Sequence, residues 1–234
     1  RFGGSLLSSD VNIGNQTGIE WTQKIITELK SMSNVIVKNR SQVFGYYDHN
    51  MLVMSERISD HLPKTQKYLP KQRLWYIRAN EVLISSGSIE RPLVFGNNDT
   101  PGVMLSSAAK EYMRVYGVLV GKKPLIFTNN DSGYETAIEF KKNGINSLIL
   151  DTRKNPSSDI INEAKNLNIK IKFSHVVVVA KGYKKVKSAD IAKISDNKKE
   201  LSKIENIECD CICVSGFWTP SIHLASQSGN KSEF

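Results

Sequence analysis

The sequence predicts an α/β protein built on parallel sheets. Three observations predict it. Short apolar runs of strand length alternate with amphipathic helical segments. A strand–turn–helix–strand unit of about 30 residues, the size of a mononucleotide-binding unit, begins near Gly121. A three-stranded meander is inserted between elements that otherwise alternate as parallel strands and helices. The 15 Gly and 7 Pro in 234 residues exclude a collagen-like or low-complexity chain. The longest apolar stretch, Val176–Ala180, is far below the ~18 residues of a membrane span.

Taken in order, Thr17 or Gly18 caps a helix running to about Met32, with Trp21, Ile25, Ile26, Leu29 and Met32 as its apolar stripe. Val35–Lys38 reads as a short strand. Ser41–Tyr47 and Met51–Glu56 follow as meander strands around the turn Asp48-His49-Asn50, and Arg73–Arg78 completes the meander. Glu81–Ser86 reads as a buried strand ending at Gly87, and a helix runs from Ser106 to Tyr116 with Gly117 as its stop. Leu125–Thr128, Tyr134–Asn143 and Ser147–Asp151 form the βαβ unit. A helix capped by Ser157 or Ser158 and strands at Ile169–Phe173, Val176–Lys181 and Val186–Ile194 come next. Ile207–Val214 reads as one last buried strand before Gly216 and a Pro220-led helix start.

The formal net charge of +9 raises the possibility of a basic nucleic-acid-binding module. The lysines are spread along the chain, however, and the densest group, Lys181–Lys187, alternates like an exposed hairpin; a solvated surface is the favoured reading. Cys209, Cys211 and Cys213 fall at a spacing of two, which places all three on one face of a single strand. That geometry suits neither a disulfide nor a zinc site, so free buried thiols in a reducing compartment, the cytoplasm, are expected. His49, His61, His175 and His223 form no metal set, and no signal peptide or membrane partner is expected.

The turn Thr128–Gly133 stands where a Gly-rich phosphate loop would lie, but Asn129, Asn130 and Asp131 fill it. A unit that has lost a dinucleotide, or never had one, is expected there. Asp151 occupies the place of a ribose-binding acid; a helix cap or surface acid is the plainer alternative. Ser86-Gly87 and Ser215-Gly216 each end an apolar run, with Pro92 and Pro220 following, which suits either a cofactor passing close or tight packing of the chain on itself.

Several phrases together resemble one family. Gly3-Gly4-Ser5-Leu6, Val43–Asp48, Ile89–Phe95 (with Glu90-Arg91-Pro92), Asn97–Met104, Thr128–Ser132 and His223–Gly229 are similar, in order, to the alpha subunits of heterotetrameric sarcosine oxidases. The resemblance implies a Rossmann-like two-dinucleotide-binding (glutathione-reductase-like) fold, incomplete at both ends. Residues 1–118 and 206–234 would belong to the first dinucleotide domain and 119–205 to an inserted second one. It implies NAD on this subunit, FAD and FMN mainly through the beta subunit, and beta, gamma and delta subunits as partners. The complex would demethylate sarcosine oxidatively to glycine and hydrogen peroxide, passing one carbon to tetrahydrofolate.

No catalytic residue and no metal are expected on this chain. Gly3, Gly4, Ser5, Val43, Gly87, Gly216, Phe217, Ser221, Ile222 and His223 are the expected cofactor contacts, the last three through free N–H groups at a helix start. Phe217 departs from the family pattern, which has a second glycine there. The first Gly-rich unit is absent, and a longer parent protein is expected. The alternative is a pyridine-nucleotide–disulfide-type oxidoreductase, which would need a redox cysteine pair near a flavin.

Overall fold

In the computed structural model, which describes residues 2–64, 67–195 and 201–229, the chain divides into two compact units. The first comprises Arg1–Ser88 and Pro220–Phe234, the second Ile89–Thr219. Arg1 and 230–234, on which the expectation of a longer protein rests, lie outside the described residues.

The first unit opens on a 3-10 turn, Gly4–Ser8, and a minimal hairpin, β1 (Asn12–Ile13) with β2 (Gln16–Thr17). Helix α1 (Gly18–Ser31) starts on a reciprocal cap: the Thr17 hydroxyl accepts the Glu20 N–H while the Glu20 carboxylate accepts the Thr17 N–H. Of its apolar stripe Trp21, Ile25 and Ile26 are half-buried, but Leu29 and Met32 are exposed.

The meander forms as the alternation requires, β3 (Ser41–Tyr47) pairing with β4 (Met51–Arg57) and β4 with β5 (Gln72–Arg78), all antiparallel. His49 and Asn50 take left-handed φ values of 57° and 52°, which turn the first hairpin tightly. A closing helix, His223–Gln227, packs on β3, and its Gln227 Oε1 accepts the Tyr46 N–H at 2.9 Å.

Two expected strands are missing from this unit. Val35–Lys38 and Glu81–Ser86 form no strand among the described residues, and Leu83, expected in a core, is 95% exposed. Local apolar character makes a strand only where a neighbouring strand supplies hydrogen bonds and a layer covers the face.

The second unit is a three-layer sandwich. After β6 (Ser88–Arg91), five parallel strands form its sheet. They are β7 (Val103–Leu105), β8 (Pro124–Thr128), β9 (Leu148–Asp151), β10 (Lys170–Phe173) and β14 (Cys211–Ser215), in the order β10-β9-β8-β14-β7. Helices α2 (Ser106–Tyr116), α3 (Ser132–Lys142) and α4 (Asp159–Asn166) supply one covering layer, burying Ala109, Tyr134, Phe140 and Ile161 with Ile126, Ile149, Cys211 and Cys213 of the sheet. A second meander, β11 (His175–Gly182), β12 (Val186–Lys193) and β13 (Glu205–Glu208), covers the other face. There Leu125, Phe127, Leu150, Ile212 and Val214 meet Val177, Ala189 and Ile191. Covered on both sides, the strands read as unbroken apolar runs rather than as alternation.

One sequence expectation is corrected here. Ile207–Val214 is not one strand: it breaks at Cys209-Asp210, where the Asp210 carboxylate accepts the N–H groups of Lys122 and Lys123 at 2.7 and 2.8 Å. The break sends the cysteines to opposite faces, Cys209 into the layer under the meander and Cys211 and Cys213 into the layer under the helices. All three are free and buried. The unit boundaries, at 88/89 and 219/220, also differ from those expected at 118/119 and 205/206. Residues 103–116 go with the second unit because β7 pairs with β14 and α2 packs on α3. Strand β15 (Phe217–Pro220) pairs with β6.

Candidate functional site

The loop after β8 is closed by its own side chains. Asn130 Oδ1 accepts the Ser132 N–H at 2.9 Å and its Nδ2 donates to the Ser215 carbonyl at 3.2 Å. The Trp218 indole N–H donates to Ser132 Oγ at 2.7 Å. Gly133 is needed for packing, since a Cβ there would stand 2.7 Å from the Thr128 Cβ.

Arg153 bridges Asp131 and the fully buried Asp151, at 2.8 Å to each, and the Tyr134 hydroxyl donates to Asp151 at 2.7 Å. Asp151 also accepts the Arg153 backbone N–H at 2.9 Å. It is neither a surface acid nor a free ribose ligand; it is the saturated centre of a buried network. Burial, then the bond to Asp151, pushes the Tyr134 hydroxyl well above its usual range. Burial works against the Arg153 charge, but the bonds to Asp151 and Asp131 outweigh it and hold the guanidinium above its ordinary value. With Asp131 and its partners at the head of α3, a nucleotide phosphate does not fit there.

The head of α2 is filled from a distance. Glu90, 4% exposed, accepts the Ser107 N–H at 2.8 Å and the Ser107 hydroxyl at 2.5 Å. Its other oxygen, Oε1, has no hydrogen-bond partner among the described residues. Nothing local in the sequence announces this cap, because donor and acceptor lie 17 residues apart.

Gly216 serves the same self-packing. A Cβ on it would stand 2.6 Å from the Arg91 carbonyl oxygen and 3.0 Å from the Pro92 backbone, so the space beside it belongs to the chain's own loop rather than to a cofactor. Phe217 is 61% exposed.

In the first unit the expected residues lie as follows. Gly3 (φ 99°) precedes the 3-10 turn, where a Cβ would crowd Leu7 and Thr22. Gly4 (φ 47°) and the exposed Ser5 follow, with open space beside Gly4. Val43 is half-buried in β3 at a bulge. Gly87 (φ 69°) is also open, and the structure brings it to Ser221: the Ser221 N–H donates to the Gly87 carbonyl at 2.8 Å, and Ser86 Oγ donates to the Ser221 carbonyl at 2.6 Å. The expectation of free N–H groups at the closing helix is therefore corrected. Ser221 gives its N–H to Gly87 and Ile222 gives its own to Pro220; His223 is exposed. The open left-handed backbone at Gly4 and Gly87 fits close approach of a dinucleotide; the head of α3 does not. No metal-binding cluster of His, Cys, Asp and Glu occurs among the described residues, and none of their helices is long and apolar enough to cross a membrane.

No family model matches the chain. Sarcosine oxidase subunit alpha of Rhizobium meliloti (strain 1021) is 36% identical over 230 residues, covering 98% of this chain and 22% of that protein. The subunit of the same name from Corynebacterium sp. (strain P-1) is 31% identical, covering 98% of this chain and 24% of its own length. The chain thus spans less than a quarter of the curated relatives it matches.

Among solved structures, thioredoxin reductase from T. acidophilum superposes with a TM-score of 0.71 at 15% identity, over 99% of this chain and 71% of that one. L-proline dehydrogenase from P. horikoshii gives 0.62 at 19% identity, over 99% and 38%. The chain has the two-dinucleotide-binding fold of these flavoproteins, and along nearly its whole length its sequence is that of a segment of the sarcosine oxidase alpha-subunit family.

Proposed function

We propose that the chain is the cofactor-holding part of a sarcosine oxidase alpha subunit and that its first unit holds a nicotinamide dinucleotide, expected as NAD. The observation that carries this reading is the 36% identity maintained over 98% of the chain. The open left-handed glycines Gly4 and Gly87 support it. The second unit is assigned a scaffolding role, because its helix heads are occupied by Glu90 and by the Asp131–Arg153–Asp151 bridge.

In this proposal FAD and FMN lie mainly with the beta subunit, and gamma and delta subunits complete a cytoplasmic complex. A flavin bound in that complex would supply a two-electron oxidation of the CH–NH unit of sarcosine, the C–H and N–H hydrogens ending on O2 as hydrogen peroxide. The carbon released on forming glycine goes to tetrahydrofolate. This chain's part is to hold the dinucleotide. The disulfide-reductase alternative is disfavoured because Cys209, Cys211 and Cys213 are all buried in the core.

The test is co-purification with a sarcosine oxidase beta subunit, with nucleotide content measured after dialysis and sarcosine turnover measured with and without that partner. Stable association, retained dinucleotide and turnover only with the partner are expected. Sarcosine turnover by the chain alone, or loss of all nucleotide from the complex, would overturn the reading.

A further inference from the structure

A cleft of about 370 Å³ opens in the second unit at the edge where β8, β9 and β10 begin, on Pro124, Leu148 and Lys170. Its size is that of a small-molecule site, roughly 300–1,000 Å³. A nucleotide in such a unit lies outside the carboxyl ends of the strands, here at Thr128 and Asp151, so the cleft is a separate place at the opposite edge of the sheet. Its floor is the end of the core layer under the second meander. Leu125 and Cys209 line it from within that layer, and Leu148 and Ile207, packed against the layer, are only half-buried.

The polar lining is basic. Lys123, Lys141 and Lys170 line the cleft with the amides of Asn146 and Asn168 and, among the described residues, one carboxylate, Glu208. That carboxylate is taken, since Lys123 Nζ donates to it at 2.8 Å. Lys141 Nζ has a neutral partner, the Asn146 Oδ1 at 2.8 Å. Lys170, the first residue of an edge strand, has no ion-pair or hydrogen-bond partner among the described residues. Ser147 also lines the cleft, and its hydroxyl is buried without a hydrogen-bond partner among the described residues. Lys141 suits the last turn of α3 in any case, but no helix end explains Lys170. Two ammonium groups with no acid to pair them thus share a cleft with an apolar floor. A bare inorganic anion would leave that floor unused, and a neutral apolar molecule would leave the charges unused.

We propose that this cleft binds a small amphipathic anion, a carboxylate carried on an apolar chain. The carboxylate pairs with Lys170 and Lys141, as the chain's own Glu208 pairs with Lys123, and the apolar chain lies along Leu125, Leu148, Ile207 and Cys209. The inference is independent of the cofactor-holding reading, which concerns the first unit.

The experiment is calorimetric titration of the purified full chain with octanoate, hexanoate, 1-octanol and inorganic phosphate at one ionic strength. Octanoate should bind at one site. Hexanoate, two methylenes shorter, should bind about tenfold more weakly, and 1-octanol and inorganic phosphate at least about tenfold more weakly than octanoate. Lys170→Gln removes an exposed charge and should weaken octanoate about tenfold, while leaving the ratio of octanoate to hexanoate affinity unchanged. Circular dichroism checks that the variant keeps the fold. No binding of octanoate, or the same affinity for it in a folded Lys170→Gln protein, overturns the assignment. Equal affinity for the two carboxylates overturns it as well, leaving lysines that attract any anion. Phosphate binding as tightly as octanoate makes the cleft a free-anion site, and 1-octanol binding as tightly makes it an apolar one; either result overturns the proposal.

Discussion

The backbones of Gly216 and Arg91 run so close that the Arg91 carbonyl accepts the Gly216 N–H at 2.7 Å, and a Cβ on residue 216 would stand 2.6 Å from that same oxygen. Gly216→Val is therefore expected to destabilise the second unit by upwards of about 2 kcal/mol rather than to empty a cofactor site in an intact fold. Phe217→Gly, at an exposed side chain, should cost far less. Denaturant melts of the two variants check this; a Gly216→Val protein as stable as the parent would show that the loop yields.

Asp151 is fully buried and holds Tyr134 and Arg153 together. Asp151→Asn leaves the Arg153 charge with only Asp131, and a loss of about 3 kcal/mol is expected, as for other broken buried pairs. Tyr134→Phe removes one hydrogen bond and should cost about 1 kcal/mol. The double variant should cost less than the sum, since both act through the same carboxylate.

Alkali should weaken the fold through its thiols. Burial, ahead of the charges of Cys211, Asp210 and Glu208, pushes the Cys209 thiol up to about 12, and the Cys213 thiol, hydrogen-bonded to the Cys211 thiol in the core, is also held well above its usual value. The folded protein keeps these protons while the unfolded chain gives them up near pH 8.5. The stabilisation is thus complete below that pH and is lost as pH rises through it toward 12. Stability measured between about pH 8 and 11 should fall less steeply in Cys209→Ala. Thiol reagents at pH 8 should label no cysteine until the protein unfolds, and then all three.

Glu56 titrates in the opposite sense. The Trp75 indole N–H at 2.7 Å is the main influence lowering its pKa; burial opposes it, and Lys38 and Arg73 add to the lowering. Its contribution is present above the ordinary carboxylate range and disappears as pH falls through the lowered value. Trp75→Phe should raise the Glu56 pKa, read by NMR titration of the carboxyl carbon; an unchanged pKa would assign the lowering to the cations.

Elements whose partners lie nearby in sequence were legible from it. The Thr17 cap, the Asp48–Asn50 turn and the βαβ unit from Pro124 to Asp151 all follow from local chemistry. Val82-Leu83-Ile84 misled because an apolar run reports what a strand would need and not whether a neighbour exists to pair with it. Asp210 was the overlooked signal in the last run: a charge amid buried residues marks a break, here a cap on the turn at Lys122–Lys123. Glu90 reaching Ser107 and Arg153 joining Asp131 to Asp151 depend on how the chain returns on itself. The occupied phosphate turn was foreseen at Asn129–Asp131; the arginine that closes it was not.

The position of Cys211–Ser215 between β7 and β8 bears on how the protein is made. This interior strand is the last of the five to leave the ribosome. Until it arrives, two apolar edges more than twenty residues apart stand open, inviting association with other chains. A nascent chain stopped anywhere between Thr128 and Cys211 carries a slot in place of a core. Premature termination or proteolysis in that stretch should yield insoluble rather than partly functional product, and folding of the second unit should be slow, since its decisive contacts close a loop of more than eighty residues.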